Sequence, residues 1–166
     1  TAEEMTHATK SELIEAIAGS EGRVLASETI GITIPLLTDV TNAEFAASMG
    51  ADLILLNMFD VQEPKIMALP EVEKEETVRE VKRLTGRMVG INLEPVEESY
   101  ASDNKETLWE MSAGRYATVK NAIQAQKMGV DLIVLTGNPG NGVSNPAINS
   151  SLKAISEAVG EKIMLA

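Results

Sequence analysis

Three carboxylates stand at or just behind short apolar runs. Glu28 closes Arg23-Val24-Leu25-Ala26-Ser27-Glu28, Asp60 follows Leu53-Ile54-Leu55-Leu56-Asn57, and Glu94 closes Met88-Val89-Gly90-Ile91-Asn92-Leu93-Glu94. Amide and hydroxyl groups accompany them at equivalent places: Asn57, Asn92, Thr136 and Asn138. Oxygen-only donors of this kind suit a hard cation. Mg²⁺ fits best, because it binds through one or two carboxylates and keeps water and substrate oxygens in its other positions. Such an ion can stabilise an enolate or a phosphoryl oxygen. The expected metal set is Asp60, Glu94 and Asn57. The expected acids and bases are Glu28, Glu94 and Asp39, the last lying just ahead of a helix start. The plainer alternative is that strand ends are polar because they meet water.

A second feature is Thr136-Gly137-Asn138-Pro139-Gly140-Asn141-Gly142-Val143-Ser144-Asn145-Pro146. Glycine lets backbone N–H groups approach a ligand, and a helix start adds partial positive charge. Thr136, Gly137, Asn138, Gly140 and Gly142 therefore form a candidate cradle for phosphate or carboxylate. It is no Walker loop, since Val143 stands where lysine is needed. A tight turn needing Gly and Asn is the competing reading. Arg115 could neutralise an anionic substrate or sit in a surface salt bridge, and Asn92 could help orient the substrate. Between Pro95 and Met111 runs a long acidic segment with Tyr100 and Trp109. It reads either as a lid over the site or as a solvated excursion. His7 precedes the first helix signal and is not expected to act in catalysis.

These residues need elements to hold them. Five apolar runs, at 23–28, 53–57, 88–94, 132–136 and 162–166, are nearly continuous rather than alternating. That pattern indicates parallel strands buried on both faces. Thr9-Lys10-Ser11-Glu12 and Thr41-Asn42-Ala43-Glu44 are capping boxes that open helices. Further helices are expected over 73–84, over 112–128 ended by Gly129, and from an Asn145 cap with Pro146 behind it to Val159. Asp52 and Asp131 fall at strand starts and read as structural turn residues.

An internal echo links two of these units. Met49-Gly50-Ala51-Asp52-Leu53-Ile54-Leu55-Leu56-Asn57 matches Met128-Gly129-Val130-Asp131-Leu132-Ile133-Val134-Leu135-Thr136 at six of nine positions, 79 residues apart. Strands recur about every 35 residues, so eight would need roughly 280, in the range of a (β/α)₈ TIM barrel. Residues 1–166 then form a single α/β domain carrying the first five strand–helix units, the N-terminal portion of a longer barrel. An open three-layer α/β sheet is the rival.

The formal charge is −11, from 14 Lys+Arg against 25 Asp+Glu. An acidic surface argues against nucleic acid or an anionic membrane as partner. With no cysteine, disulfides, thiolate metal sites and a cysteine nucleophile are excluded. No apolar run approaches the roughly 18 residues of a membrane span, and no leader pattern opens the chain, so a cytoplasmic setting is expected.

Ser20-Glu21-Gly22-Arg23-Val24, Thr38-Asp39-Val40-Thr41-Asn42-Ala43-Glu44, Gly50 to Asp60, Val89-Gly90-Ile91-Asn92-Leu93-Glu94-Pro95 and Leu135-Thr136-Gly137-Asn138-Pro139-Gly140 together resemble a group of bacterial TIM-barrel proteins of uncharacterised function. Members are labelled phosphoenolpyruvate phosphonomutase-like or haloacid dehalogenase-like. The second label implies an Asp-x-Asp nucleophile after the first strand, which this chain lacks. The first implies Mg²⁺ held by carboxylates at strand ends, a role Asp60 and Glu94 could match. The paired Asp-x-Asp and the catalytic loop of that superfamily are missing here.

The expected function is a Mg²⁺-assisted lyase or mutase acting on a small phosphorylated or carboxylated metabolite. The alternatives are a non-catalytic barrel that binds a phosphometabolite and a structural protein. In the structural reading a partner chain, such as another copy in a homo-oligomer, covers an open sheet edge.

Overall fold

The computed structural model describes residues 2–96, 111–137 and 142–166. Two short N-terminal helices come first, α1 (Ala2–Met5) and α2 (Lys10–Gly19). Then follow β1 (Ala26–Ile30), α3 (Asn42–Ser48), β2 (Leu53–Asn57), a 3₁₀ turn leading into α4 (Thr77–Thr85), and β3 (Met88–Leu93). The remainder is a 3₁₀ turn (Ala113–Arg115), α5 (Val119–Met128), β4 (Leu132–Leu135), α6 (Asn145–Val159) and β5 (Met164–Leu165).

Both capping boxes form. Thr9 and Thr41 accept from the backbone N–H of Glu12 and Glu44, and each glutamate reaches back to its threonine's N–H. These reciprocal bonds satisfy donors that a helix start otherwise leaves unpaired.

All five strands are parallel and lie in chain order, β1-β2-β3-β4-β5. Among the described residues each strand is joined to its neighbour through one α-helix. One apolar cluster contains Ala43 and Ala47 of α3, Val78 and Val81 of α4, Ala122 and Met128 of α5, and Ile155 of α6. The same cluster contains Ile54, Leu56, Val89, Ile91, Ile133 and Leu135 of the sheet. The four crossover helices therefore share one face. An open three-layer sheet would carry helices on both.

The opposite face bears the alternate residues. At its lower end Leu53, Met88 and Met164 pack with Leu13 of α2, so the N-terminal helix seals the face where the strands begin. Higher up, Gly90 is a bare spot: a Cβ there would stand 3.2 Å from Leu55 Cδ1 and 3.2 Å from Leu132 Cβ. Those two leucines close in over the glycine and form an apolar floor.

Three expected boundaries move. The first strand is Ala26–Ile30, not 23–28, which puts Glu28 in mid-strand. The helix expected over 112–128 begins only at Val119, capped by Thr118, because residues 113–117 are drawn into loop contacts. The last long helix is capped by Ser144, whose side chain accepts from Ala147 N–H, so Asn145 is its first residue.

Candidate functional site

The register sets the upper row of the helix-free face. Ile30 pairs with Asn57, and Asn92 pairs with Val134. Continuing the β2–β3 register beyond Leu56↔Ile91 sets Asn57 beside Asn92. One step above, the β3–β4 register beyond Leu93↔Leu135 sets Glu94 beside Thr136. Four expected site residues thus occupy adjacent positions at the C-terminal rim of one face.

Their contacts divide into two pairs. Asn92 Nδ2 donates to Thr136 Oγ1 at 2.7 Å, and Thr136 N–H is fixed on Leu93 O at 3.0 Å. Asn92 Oδ1 is buried and has no hydrogen-bond partner. Glu94 Oε1 accepts from Arg115 Nη2 at 2.7 Å, with the two side chains only 9% and 16% exposed. A parallel bridge between Glu94 and Tyr116 holds the backbones together: Glu94 N–H donates to Arg115 O, and Ala117 N–H donates to Glu94 O. At that degree of burial each charge depends on the other, because an unpaired one would be strongly destabilising. Arg115 is therefore a partly buried rim residue, and the surface salt bridge weighed from sequence does not describe it. The pair uses one of the five guanidinium N–H groups.

Asn57 turns its Oδ1 to the next residue, accepting Met58 N–H at 2.7 Å. Met58 has a φ of 57°, a left-handed backbone that a long side chain adopts at a cost. The strand's alternation ends there, and the chain leaves the rim.

Asp60 is spoken for by its own loop. Its Oδ1 accepts from Gln62 N–H at 2.7 Å and Glu63 N–H at 3.0 Å. Burial pushes its pKa up, but hydrogen bonds from Ser112, Glu63, Gln62 and Gly114 outweigh that and hold it below the ordinary aspartate value. The fit with Gly114 is close: a Cβ at 114 would lie 1.7 Å from Asp60 Oδ1. Only glycine can occupy this joint between the β2 and β3 exit loops.

The expected metal set is not assembled. Asp60 is absorbed by backbone donors, Asn57 by Met58 N–H and Glu94 by Arg115. Among the described residues no three His, Cys, Asp or Glu groups gather to hold an ion. The residues present therefore do not fit a Mg²⁺ centre built on Asp60, Glu94 and Asn57. Of the other expected acids and bases, Glu28 faces the helix-free side of edge strand β1 opposite Leu55, and Asp39 is exposed in the loop before α3.

In the expected anion cradle, Gly137 is exposed, Gly142 has a φ of 67°, and Ser144 caps α6. Asn138 and Gly140 lie outside the described residues, as does most of the expected lid.

One residue escaped sequence reasoning. Asn121 is 1% exposed and fastens the rim loop from behind. Its Nδ2 donates to Ala113 O at 2.8 Å and Tyr116 O at 2.9 Å, and its Oδ1 accepts from Gln62 Nε2 at 3.0 Å. Asn121 stands 79 residues after Asn42, the offset of the internal echo, and that match was the available signal.

The chain belongs to the family "Domain of unknown function (DUF7916)", which it matches over residues 1–166. No curated protein matches it. It is similar to a crystal structure described as a "putative fructose-1,6-biphosphate aldolase" from Coccidioides immitis, at 18% identity and a TM-score of 0.48. That match covers 93% of this chain and 53% of the other, so the chain spans about half that protein's length. Among the described residues no helix is long and apolar enough to cross a membrane.

Proposed function

We propose that this DUF7916 domain is part of a (β/α)₈-barrel enzyme that binds a small phosphorylated or carboxylated metabolite at the rim carrying Asn57, Asn92, Glu94, Arg115 and Thr136. Strand order supports the barrel. A parallel sheet with all its crossover helices on one face leaves the other face needing cover, and curling the sheet into a barrel supplies it. The single observation that carries the site is the meeting of the Asn92–Thr136 and Glu94–Arg115 pairs at adjacent register positions. Arg115 retains N–H donors for an anion, Asn57 and Thr136 orient neutral oxygens, and the floor of Leu55 and Leu132 excludes water from below. A lyase or mutase of cytoplasmic metabolism, akin to the phosphonomutase-like proteins, is the reaction class. No step is routed through a metal, since the described residues do not fit one.

One observation favours a second reading, a barrel that binds without catalysis. The two rim carboxylates closest to the site, Asp60 and Glu94, are both engaged by donors. A turnover assay alongside binding separates the two.

Calorimetric titration with phosphoenolpyruvate and with inorganic phosphate tests the site. The unmodified chain is expected to bind, and Arg115→Met to bind at least about tenfold more weakly, with Arg115→Lys in between. Absence of binding by either probe overturns the proposal.

A further inference from the structure

We infer that the ligand of this rim presents a hydroxyl group to Asn92 Oδ1, so that the site selects hydroxylated acids or hydroxylated phosphate esters over their deoxy counterparts. This rests on the reading of the rim as an anion site and adds a requirement that reading does not contain.

Asn92 Oδ1 is a buried acceptor without a donor. Buried polar groups are almost always paired, so an orphan at a candidate site asks for an explanation. The amide is oriented by its other end, where Nδ2 donates to Thr136 Oγ1 at 2.7 Å. Thr136 is in turn held across the β3–β4 seam by its N–H on Leu93 O. The orphan oxygen is therefore presented by a fixed amide.

Among the described residues no protein donor bonds to it. The position below Asn92 on the same face is Gly90, and the space over that glycine is taken by Leu55 and Leu132, which have no donors in their side chains. The neighbour across the seam is Asn57, whose Oδ1 is bonded to Met58 N–H and whose Nδ2 makes no hydrogen bond to Asn92 Oδ1. The missing donor must come from the rim side, where the ligand is bound.

Chemistry narrows that donor. A carboxylate or phosphate oxygen would meet Oδ1 acceptor to acceptor and be repelled. Two residues along the same strand, Glu94 brings Arg115 to the rim. Two residues of strand span about 7 Å. A small molecule with an anionic group at one end and a hydroxyl a few bonds away satisfies both points. A site that hydrogen-bonds a substrate hydroxyl rejects the analogue lacking it far more strongly than an apolar pocket rejects an extra group, because the site's polar atom is left unpaired.

Matched probes decide it. Titration calorimetry of the full chain with L-malate against succinate, and with glycerol 3-phosphate against propyl phosphate, reads the hydroxyl alone. At least one hydroxylated probe is expected to bind about tenfold or more tightly than its deoxy partner. In Asn92→Leu that preference should fall to within about twofold. Asn92→Asp keeps an acceptor and should keep the preference, which guards against a fold defect in the leucine variant. Equal binding within both pairs, or tighter binding of the deoxy member, overturns the hydroxyl requirement and leaves the anion site standing. Failure of all four probes in a chain that still binds phosphoenolpyruvate or inorganic phosphate overturns the hydroxyl requirement alone, and failure of those two as well overturns both.

Discussion

The segments Met49–Asn57 and Met128–Thr136 share most of their residues, and the structure uses their two ends differently. At the strand start the copies superpose in function. Asp52 N–H donates to Leu25 O at 2.8 Å while its Oδ2 accepts from Leu25 N–H at 2.9 Å. Asp131 does the same with Val89, N–H to O at 2.8 Å and Oδ2 from N–H at 2.9 Å. Each aspartate thus pins the start of the preceding strand. At the strand end they diverge: Asn57 folds back onto Met58 N–H, whereas Thr136 holds Asn92. The shared residues build the joint, and the unshared ones face the rim. A repeat of this kind can be read as scaffold where it agrees and as candidate chemistry where it does not.

The copies differ in surroundings as well. Asp131 also pairs with Lys82 of α4 at 2.8 Å, its side chain only 15% exposed. Among the described residues Asp52 makes no ion pair. Asp131→Ala should therefore lose about 3 kcal/mol, because it strands a partly buried ammonium as well as the Val89 N–H. Asp52→Ala, removing one bond, should lose about 1 kcal/mol. Urea denaturation of the two variants measures both, and equal losses would dissolve the contrast.

A middle-sized effect is expected at the paired asparagines. Asn121→Ala removes three hydrogen bonds made by a buried side chain, to Ala113 O, Tyr116 O and from Gln62 Nε2, and should lose about 2 kcal/mol. Asn42 makes looser bonds, accepting from Leu36 N–H at 3.1 Å and donating to Thr33 Oγ1 at 3.4 Å, in an exposed setting. Asn42→Ala should lose under about 1 kcal/mol. If Asn42→Ala proves the more damaging, the rim loop is not what Asn121 secures.

The smallest effect is read against pH. Asp60 titrates below the ordinary aspartate value in the folded chain, so its contribution is complete above that ordinary value and disappears as pH falls through the lowered one. Asp60→Asn should be less stable than the unmodified chain at about pH 7, and the gap should narrow toward about pH 3. A gap that is constant across that range would show that Asp60 is not held ionised by its loop.

Much of the scaffold was legible in the sequence. Thr9 and Thr41 announced their helices through a pattern that needs only local bonds. The β2, β3 and β4 strands stood out because central parallel strands are apolar on both faces. β1 was misplaced for the converse reason. It is the first strand of the sheet, and its Ser27, Glu28 and Thr29 carry the polarity that an edge tolerates. The span 112–128 read as one helix because nothing in Ala113-Gly114-Arg115-Tyr116 forbids helix. Tertiary bonds from Asn121, Asp60 and Glu94 claim that stretch instead.

The site was half legible. Register brought Asn57, Asn92, Glu94 and Thr136 together as strand-end reasoning expected. Asp60 was misjudged as a free ligand, although an aspartate followed by loop residues commonly accepts from the backbone two and three residues on. The Glu94–Arg115 pair joins residues 21 apart in the chain, and no local pattern encodes it.

The packing of Leu13 against Leu53, Met88 and Met164 has a consequence for traffic. It makes the helix-free face a cul-de-sac along the strand direction. On the proposed reading, a ligand of the Asn57–Asn92 row arrives over the rim and departs by the same door.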